Sequence, residues 1–190
     1  MQLELENSLE QYIQACKNED VEATVNLLYE GIYKIIGKDV LIENLKNAFS
    51  TKSILDFMKD FSIHKISSIF EIDHIYFAKV EYYLEMEIDR NEDILKKITE
   101  DVIIDYEEHD KGMQNQIEFM LTVLKTVYGD EHIKYDPASD SFIIWQLNTM
   151  LAVNENGKWK FIRWLPGSVY QRIFPKKIVK KLATKFFLMD

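Results

Sequence analysis

Arg163 is the side chain whose position in the sequence most directly suggests binding chemistry. It alternates with Trp159 and Phe161, so all three are expected on one face of a strand. Trp159 and Phe161 are expected to be buried, which would leave Arg163 partly buried beside them. A guanidinium there offers a planar fork of donors to an anionic ligand. The alternative is a salt bridge to one of the many acidic residues of the chain.

The acidic run Glu-Glu-His-Asp at residues 107–110 is the candidate for a metal site. A hard cation needs several oxygen ligands that converge from different backbone positions. Consecutive residues point apart, and the sequence contains no calcium-binding loop of alternating aspartates. The histidines also lack a ligand spacing such as His-Glu-x-x-His; they are His64, His74, His109 and His132. We therefore interpret the run as a solvated acidic turn, and we predict neither a metal nor a cofactor.

Cys16 is the only cysteine of the chain, which excludes an internal disulfide and a zinc site built from several cysteines. It lies on the apolar stripe of the first predicted helix, so we interpret it as a small core residue and not as a nucleophile. The sequence contains no Gly-x-Ser-x-Gly motif, phosphate loop or dinucleotide fingerprint. No residue is therefore predicted to be catalytic, and the sequence names no reaction.

The composition is that of a globular protein with an acidic balance. The chain has 190 residues, of which 47% are hydrophobic, and a net charge of −9. A chain of this length buries enough surface for its own core. The negative charge argues against nucleic-acid binding, because phosphates would be repelled. The first residues do not resemble a signal peptide, and no apolar run is long enough to span a membrane, so we predict a cytoplasmic protein.

The end of the chain is basic, unlike the rest. Residues 165–190 contain six basic residues and one acidic residue. From about Lys176, lysines alternate at helical spacing with an apolar stripe formed by Ile178, Val179, Leu182, Phe186 and Phe187. Such a helix can lie on an anionic membrane or on an acidic partner. We favour a third interpretation, in which the helix docks on the acidic body of its own chain.

Helical patterns dominate the first part of the chain. Apolar residues recur every three or four positions from Leu5 to Cys16, which predicts an amphipathic helix. Asp20 is the predicted N-cap of a second helix that ends near Leu28. Aromatic and β-branched residues then predict a short strand at residues 29–36. A third helix is predicted over residues 41–49, continuing toward Met58.

Alternating patterns dominate the rest. The longest predicted strand is residues 75–88, where apolar and charged positions alternate. A helix ended by Gly129 is predicted between the strands. Asn156-Gly157 predicts a two-residue type I′ hairpin turn. The remaining predicted strands are residues 63–70, 102–106, 142–153 and 159–164.

Two stretches carry a resemblance to a known family. The first is Tyr-Ile-Gln-Ala-Cys-Lys-Asn-Glu-Asp-Val-Glu-Ala at residues 12–23, which leads through residues 29–36 to Gly37-Lys38-Asp39. The second is Met-Leu-Ala-Val-Asn-Glu-Asn-Gly-Lys-Trp-Lys-Phe-Ile at residues 150–162. Helices followed by a long antiparallel meander that ends in an Asn-Gly hairpin resemble the α+β cone superfamily of nuclear transport factor, ketosteroid isomerase and the small polyketide cyclases.

The matching order covers roughly residues 3–88 and 142–164. The resemblance implies a strongly curved antiparallel sheet wrapped around the N-terminal helices, with a pocket in the mouth of the cone. Family members use this pocket to isomerise, dehydrate, cyclise or hydrolyse epoxides, or only to bind, and many form dimers through the outer sheet face. The acidic segment and the basic end of this chain would then cap or fill the pocket.

Isomerase-type members place a buried carboxylate base opposite hydrogen-bond donors, since burial raises the pKa of the carboxyl group toward the working pH. We find no carboxylate on the inward face of the long strand; Asp73 lies in a predicted turn and Asp56 lies outside the match. The resemblance implies that tyrosines are the candidate hydrogen-bond donors in the pocket. Each tyrosine could equally be a core residue whose hydroxyl is satisfied within the fold. The candidates are Tyr12, Tyr29, Tyr33 and Tyr82.

Asn148 is a further candidate whose orientation the sequence leaves open. Gln146, Asn148 and Met150 alternate with Leu147 and Thr149 along the same strand. If the second set packs on the helices, Asn148 is solvated or at an interface. If the strand is turned the other way, Asn148 enters the pocket.

The sequence therefore predicts an α+β cone over residues 1–164, with a helical insertion at about 89–140 and a basic C-terminal extension at 165–190. The predicted function is binding of a small apolar ligand or a protein partner without identified catalysis. One alternative is a lyase or isomerase that acts on a small hydrophobic substrate in the pocket. The other is an interaction protein whose core is filled by its own aromatic residues. A homodimer through the outer sheet face is also predicted.

Overall fold

The computed structural model describes residues 1–50, 58–93, 95, 112–163 and 168–187. Within them the helices are α1 (Gln2–Lys17), α2 (Val21–Leu27), a 3-10 helix (Glu30–Lys34), α3 (Lys38–Ser50), α4 (Gly112–Tyr128), a second 3-10 helix (Asp130–His132), α5 (Ser168–Ile173) and α6 (Lys176–Phe187). The strands are β1 (Met58–Ile66), β2 (Phe70–Ile72), β3 (Ile75–Asp89), β4 (Ile133–Asp136), β5 (Ser141–Asn154) and β6 (Trp159–Arg163). The predictions for residues 102–106 and 107–110, and for Asp56 and Trp164, lie outside the described residues.

The predictions of the first two helices are confirmed. Leu5 and Leu9 of α1 are buried, while charged residues fill the opposite side of the helix. The Asp20 carboxylate accepts a hydrogen bond from the backbone N–H of Ala23 at 2.9 Å, which caps the start of α2. The third helix is also confirmed, although Met58, toward which it was expected to continue, begins β1.

The prediction of a strand at residues 29–36 is wrong, because Glu30–Lys34 forms a 3-10 helix. Tyr29 and Ile32 are three residues apart, a spacing that places both on one side of such a helix, and both pack in one apolar cluster. Gly31 permits this close packing, since a Cβ atom there would lie 2.4 Å from the Tyr29 ring. A short apolar run fits a strand or a helix equally well, and tertiary contacts decide between them.

The strands form one sheet in the order β1-β3-β5-β4, with β2 paired to β3 and β6 paired to β5. The β2–β3, β4–β5 and β5–β6 pairs are antiparallel. The single strand predicted at residues 63–70 is divided between β1 and β2. Asp73 and His74 have φ values of 53° and 66°, which gives the β2–β3 hairpin a two-residue turn that matches the twist of its strands.

The prediction of a strongly curved sheet is wrong, because the sheet is not strongly curled. Strong bends in strands need bulges or glycine kinks. The two longest strands, β3 with 15 residues and β5 with 14, contain no glycine. The residues with positive φ lie outside both strands. The described architecture is α+β, with N-terminal helices and an antiparallel sheet.

The hairpin at Asn156-Gly157 is confirmed, but a four-residue loop replaces the predicted type I′ turn. Asn154 pairs with Trp159, so the loop contains residues 155–158 and not two residues. Gly157 has a φ of 76°, and its backbone N–H donates a hydrogen bond to the Asn154 carboxamide oxygen at 2.9 Å. This side-chain contact closes the loop in place of the predicted type I′ turn.

Contacts divide the described residues into two compact units. The first lies within residues 1–55, 63–82 and 148–190, and the second within 56–62 and 83–147. An apolar cluster of the first unit joins sheet residues to the C-terminal helices. Its buried members are Tyr29, Ile72, Phe77, Leu151, Val153, Ile162, Tyr170, Ile173, Phe174, Ile178 and Leu182.

The second unit has an apolar cluster of its own, in which α4 packs on sheet residues. Its buried members are Met86, Ile88, Leu95, Leu124, Ile133, Phe142 and Ile144. α4 ends at Gly129, whose φ of 96° suits glycine, so the predicted helix and its glycine stop are both confirmed. An ion pair between Arg90 and Asp140, at 3.0 Å, joins two turns of this unit.

Candidate functional site

Four of the residues predicted to bind a ligand meet in one group within the first unit. Tyr12 comes from α1, Tyr82 from β3, Asn148 from β5 and Arg163 from β6. The positive charge of Arg163 lowers the pKa of Tyr12 and of Tyr82, and Arg163 donates a hydrogen bond to Asn148. These four residues lie far apart in the chain and interact in the fold. We call them the Tyr12–Arg163 group.

Sheet geometry explains why these strand residues share a face. Side chains alternate along a strand, so Asn148 lies on the same face of β5 as the buried Met150, and Met150 is the β6 partner of Arg163. Arg163 in turn shares its face with Phe161. The ring of Tyr12 packs on Phe161 with 5.2 Å between ring centroids, which brings α1 onto that face.

Tyr12 is held as a neutral hydrogen-bonding group. Burial of the phenol raises its pKa well above the usual value, and Cys16 and Tyr82 act in the same direction. Cys16 lies one helical turn further along α1 and shares a side-chain hydrogen bond with Tyr12. The positive charge of Arg163 lowers the pKa of Tyr12 but does not outweigh burial. The hydroxyl is therefore protonated at neutral pH.

Tyr82 is in a similar state. Only 9% of its surface is exposed, and burial raises the pKa of its phenol. Arg163 lowers the pKa of Tyr82, and Cys16 raises it. The same guanidinium thus lowers the pKa of two phenols, that of the half-buried Tyr12 and that of the buried Tyr82.

Arg163 is more exposed than the sequence predicts. Trp159 and Phe161 are buried, as expected, with 2% and 1% of their surfaces exposed, whereas Arg163 is exposed. Arg163 is the last residue of β6, and a long arginine stem can follow the sheet while its guanidinium reaches water. Its Nη2 atom donates to the Asn148 oxygen at 3.5 Å, a long hydrogen bond.

Cys16 contacts the Tyr12–Arg163 group through its hydrogen bond with Tyr12, although the sequence suggested only a packing role for it. The Cys16 thiol has a raised pKa because it is largely buried, while the hydroxyls of Tyr12 and Thr24 act in the opposite direction. A thiol in this state is a poor nucleophile at neutral pH. The spacing of Tyr12 and Cys16, four residues apart on one helix, is the sequence signal that links them.

Tyr29 and Tyr33 are not part of the Tyr12–Arg163 group. The Tyr29 hydroxyl donates to a carboxylate oxygen of Glu155 at 3.0 Å, and its pKa is raised by burial and by this acceptor. The Tyr29 ring stacks on Phe174 at 5.0 Å. The Tyr33 hydroxyl donates to the carbonyl oxygen of Val25 at 3.0 Å. Both hydroxyls therefore stabilise the fold.

The basic C-terminal helix docks on its own chain, as the favoured interpretation predicts. Ile178 and Leu182 of α6 are buried in the apolar cluster of the first unit. On the neighbouring side of the helix, Lys177 and Lys181 both contact the carboxylate of Asp73 in the β2–β3 turn, at 3.2 and 3.3 Å. The two ammonium groups lower the pKa of Asp73.

No cluster of three or more potential metal ligands occurs among residues 1–50, 58–93, 95, 112–163 and 168–187. Of the helices in those ranges, none has the length and apolar character that crossing a membrane requires.

No family model and no curated protein matches the sequence. Among solved structures, the chain is similar to the crystal structure of an NTF2-like family protein from Streptomyces avermitilis, whose proposed activity is that of a dehydratase. The similarity covers 83% of this chain and 88% of that chain, with a TM-score of 0.39 and 7% sequence identity.

Proposed function

We propose that the protein binds a small organic molecule that combines an apolar body with a carbonyl or carboxylate group. The proposed site is the Tyr12–Arg163 group. The observation that carries the proposal is the meeting of α1, β5 and β6 at one face, where the Tyr12 ring packs on Phe161 of β6 and Arg163 bonds to Asn148 of β5. The charge of Arg163 also lowers the pKa of the phenols of Tyr12 and Tyr82, although burial keeps both raised. The half-buried ring of Tyr12, which packs on the buried Phe161, would contact the apolar body.

The chemistry of these groups favours an oxygen acceptor. A phenol hydroxyl with a raised pKa stays protonated and can donate a hydrogen bond. A guanidinium offers several donors in one plane and attracts negative charge. Carbonyl and carboxylate oxygens accept such bonds, and a carboxylate is also attracted by the charge of Arg163.

These side chains are better suited to binding a ligand than to catalysis that removes a proton from a carbon atom. A general base needs a pKa near the working pH. The phenols of Tyr12 and Tyr82 and the thiol of Cys16 all have pKa values above their ordinary ones, so none of them is a base at neutral pH. The lyase or isomerase alternative would require a carboxylate or histidine beside the bound molecule.

Native mass spectrometry of the purified protein, followed by denaturation, tests whether a ligand is retained. We expect an added mass that disappears on denaturation. As a defined probe, 2-naphthoate provides an aromatic body and one carboxylate, and its binding can be followed by calorimetry. We expect Tyr12→Phe and Tyr82→Phe each to weaken naphthoate binding about tenfold, because each removes one hydrogen bond.

Tyr33→Phe is the matched control, because it removes a hydroxyl that bonds to Val25 outside the proposed site. We expect this variant to bind naphthoate as the unchanged protein does. Equal affinities in the Tyr12, Tyr82 and Tyr33 variants, or no binding of naphthoate by the unchanged protein together with no retained mass, would contradict the proposal.

A second candidate function is that of an interaction protein with a filled core. The observation in its favour is aromatic packing under the C-terminal helices. Phe174 stacks on Tyr29 and Tyr170 and meets Phe77 edge to face, with centroid distances of 5.0, 6.1 and 5.8 Å. Side chains of the chain itself thus occupy this face of the sheet. A bare mass in the native spectrum and specific capture of a protein partner would favour this candidate.

We also propose that the protein forms a homodimer and that it is located in the cytoplasm. A homodimer through the outer sheet face would appear in the same native spectrum as twice the chain mass. A cytoplasmic location is suggested by the single cysteine, Cys16, and would be tested by fractionation of cells that produce the protein.

A further inference from the structure

A cavity that is open to solvent lies in the first unit, where β1 ends. Its volume is about 220 Å³, and it is lined by Lys65, Ser67, Ser68, Lys79 and Glu81. A water molecule in the liquid occupies about 30 Å³, so the cavity has room for about seven waters or one small organic group.

The backbone at the cavity is held in place by Ser67. Its N–H donates to the carbonyl of Lys79 at 2.9 Å, and its hydroxyl accepts a hydrogen bond from the Lys79 N–H, also at 2.9 Å. The same hydroxyl donates to the carbonyl of Ser68 at 3.1 Å. Ser67 thereby extends the pairing of β1 and β3 beyond the last residue of β1.

The charged residues that line the cavity have a net positive charge. Lys79 and Glu81 form an ion pair at 2.9 Å, and only 12% and 18% of their side chains are exposed. Holding two ions largely out of water is costly unless they neutralise each other. Lys65 is exposed and supplies a second ammonium, which leaves one positive charge in excess.

We propose that this cavity binds the oxyanion of a small molecule, as a carboxylate or a phosphate ester. The ammonium groups of Lys65 and Lys79 and the hydroxyl of Ser68 can donate to such an oxygen, whereas the Ser67 hydroxyl already donates to the Ser68 carbonyl. A single excess charge and a small volume suit a small anion, whereas the net charge of −9 repels a polyanion such as nucleic acid.

This cavity is separate from the Tyr12–Arg163 group. Lys79 and Glu81 occupy odd positions of β3, and Tyr82 occupies an even one. Successive strand residues point to opposite faces, so the cavity and the proposed ligand site lie on different faces of β3. The two proposals can consequently fail independently.

Nuclear magnetic resonance tests the cavity with inorganic phosphate and with acetate as probes, at ionic strength held constant with chloride. We expect saturable shifts of the backbone amides of Ser67, Ser68 and Lys79 with at least one probe. Saturation by phosphate alone would assign a phosphate ester, and saturation by acetate would assign a carboxylate.

Two variants are expected to change the affinity for the anion in opposite directions. Lys65→Gln removes the excess charge from an exposed position and should weaken binding about fivefold. Glu81→Gln removes the competing carboxylate and should strengthen binding. Lys158→Gln, in the exposed β5–β6 loop, is the control and should bind as the unchanged protein does. Shifts that do not saturate, or equal affinities for Lys65→Gln and Lys158→Gln, would overturn the proposal.

Discussion

Burial decides what the tyrosines of this chain can do. In water a phenol has a pKa of about 10. Tyr12, Tyr29 and Tyr82 all have raised pKa values in the folded chain, and burial is the largest cause in each case. They serve as neutral donors over a wide pH range. Tyr29 uses its hydroxyl on Glu155, whereas Tyr12 and Tyr82 lie in the field of Arg163.

The raised phenol pKa values predict a loss of stability in alkali. Above about pH 10 the unfolded chain releases phenol protons that the folded chain retains, so the unfolded state is favoured as pH rises. The stabilisation is fully present below about pH 10 and is lost as pH rises through the folded-state pKa values. Urea unfolding at about pH 8 to 11 should show a falling free energy of unfolding.

Tyr82→Phe removes one of these phenols and should make the alkaline decline less steep. A decline of unchanged slope in both Tyr82→Phe and Tyr12→Phe would show that the phenols do not cause it. The absorbance of phenolate, recorded during the same pH series, distinguishes tyrosine titration from other alkaline changes.

At the scale of elements, α6 packs apolar side chains into the core on one side and carries lysines at the surface on another. Ile178 and Leu182 are buried, whereas Lys177 and Lys181 bind Asp73 at the surface. Exposed ion pairs of this kind contribute little. The burial of apolar side chains is therefore the larger stabilising contribution of the helix.

Leu182→Ala should lower the free energy of unfolding by about 2–4 kcal/mol, because Leu182 is 1% exposed and its truncation leaves a cavity. Leu3→Ala is the matched control: Leu3 lies on α1 with 68% of its surface exposed, so its loss should change stability by less than about 0.5 kcal/mol. Chemical denaturation measures both. Similar small losses in the two variants would mean that α6 is not docked in solution.

For the whole molecule, the C-terminal helices complete a core that begins far earlier in the chain. Phe77 of β3 and Ile162 of β6 lie in the cluster that α5 and α6 cover. A chain that ends before Ser168 would expose this apolar surface to water. We expect such a chain to bind the dye 1-anilinonaphthalene-8-sulfonate strongly and to lose cooperative thermal unfolding.

The control for this truncation is the full chain with Lys177→Gln and Lys181→Gln, which removes the ion pairs to Asp73 and keeps the apolar side chains. This variant should unfold cooperatively, with a melting temperature lowered by no more than about 4 °C. A truncated chain with unchanged unfolding would contradict the assignment of α5 and α6 to the core.

Much of the local structure could be predicted from the sequence. The periods of α1, α4 and α6 and the alternation of β3 are local properties, because each of these elements buries mainly one side of its own surface. Asp20 and Gly129 mark helix ends through their own chemistry. The 3-10 helix at Glu30–Lys34 was missed because a short apolar run has no distinct period.

By itself, the sequence determined the α+β class, most element types and the amphipathic nature of the last helix. Only the tertiary structure decided which candidate residues meet. Tyr12, Tyr82 and Arg163 lie on three separate elements, and they meet because distant strands and a helix pack against each other. Tyr29 and Tyr33 are equally plausible by residue type, yet they bond to Glu155 and Val25. Local patterns report burial, whereas the meeting of distant side chains depends on packing that no local pattern encodes.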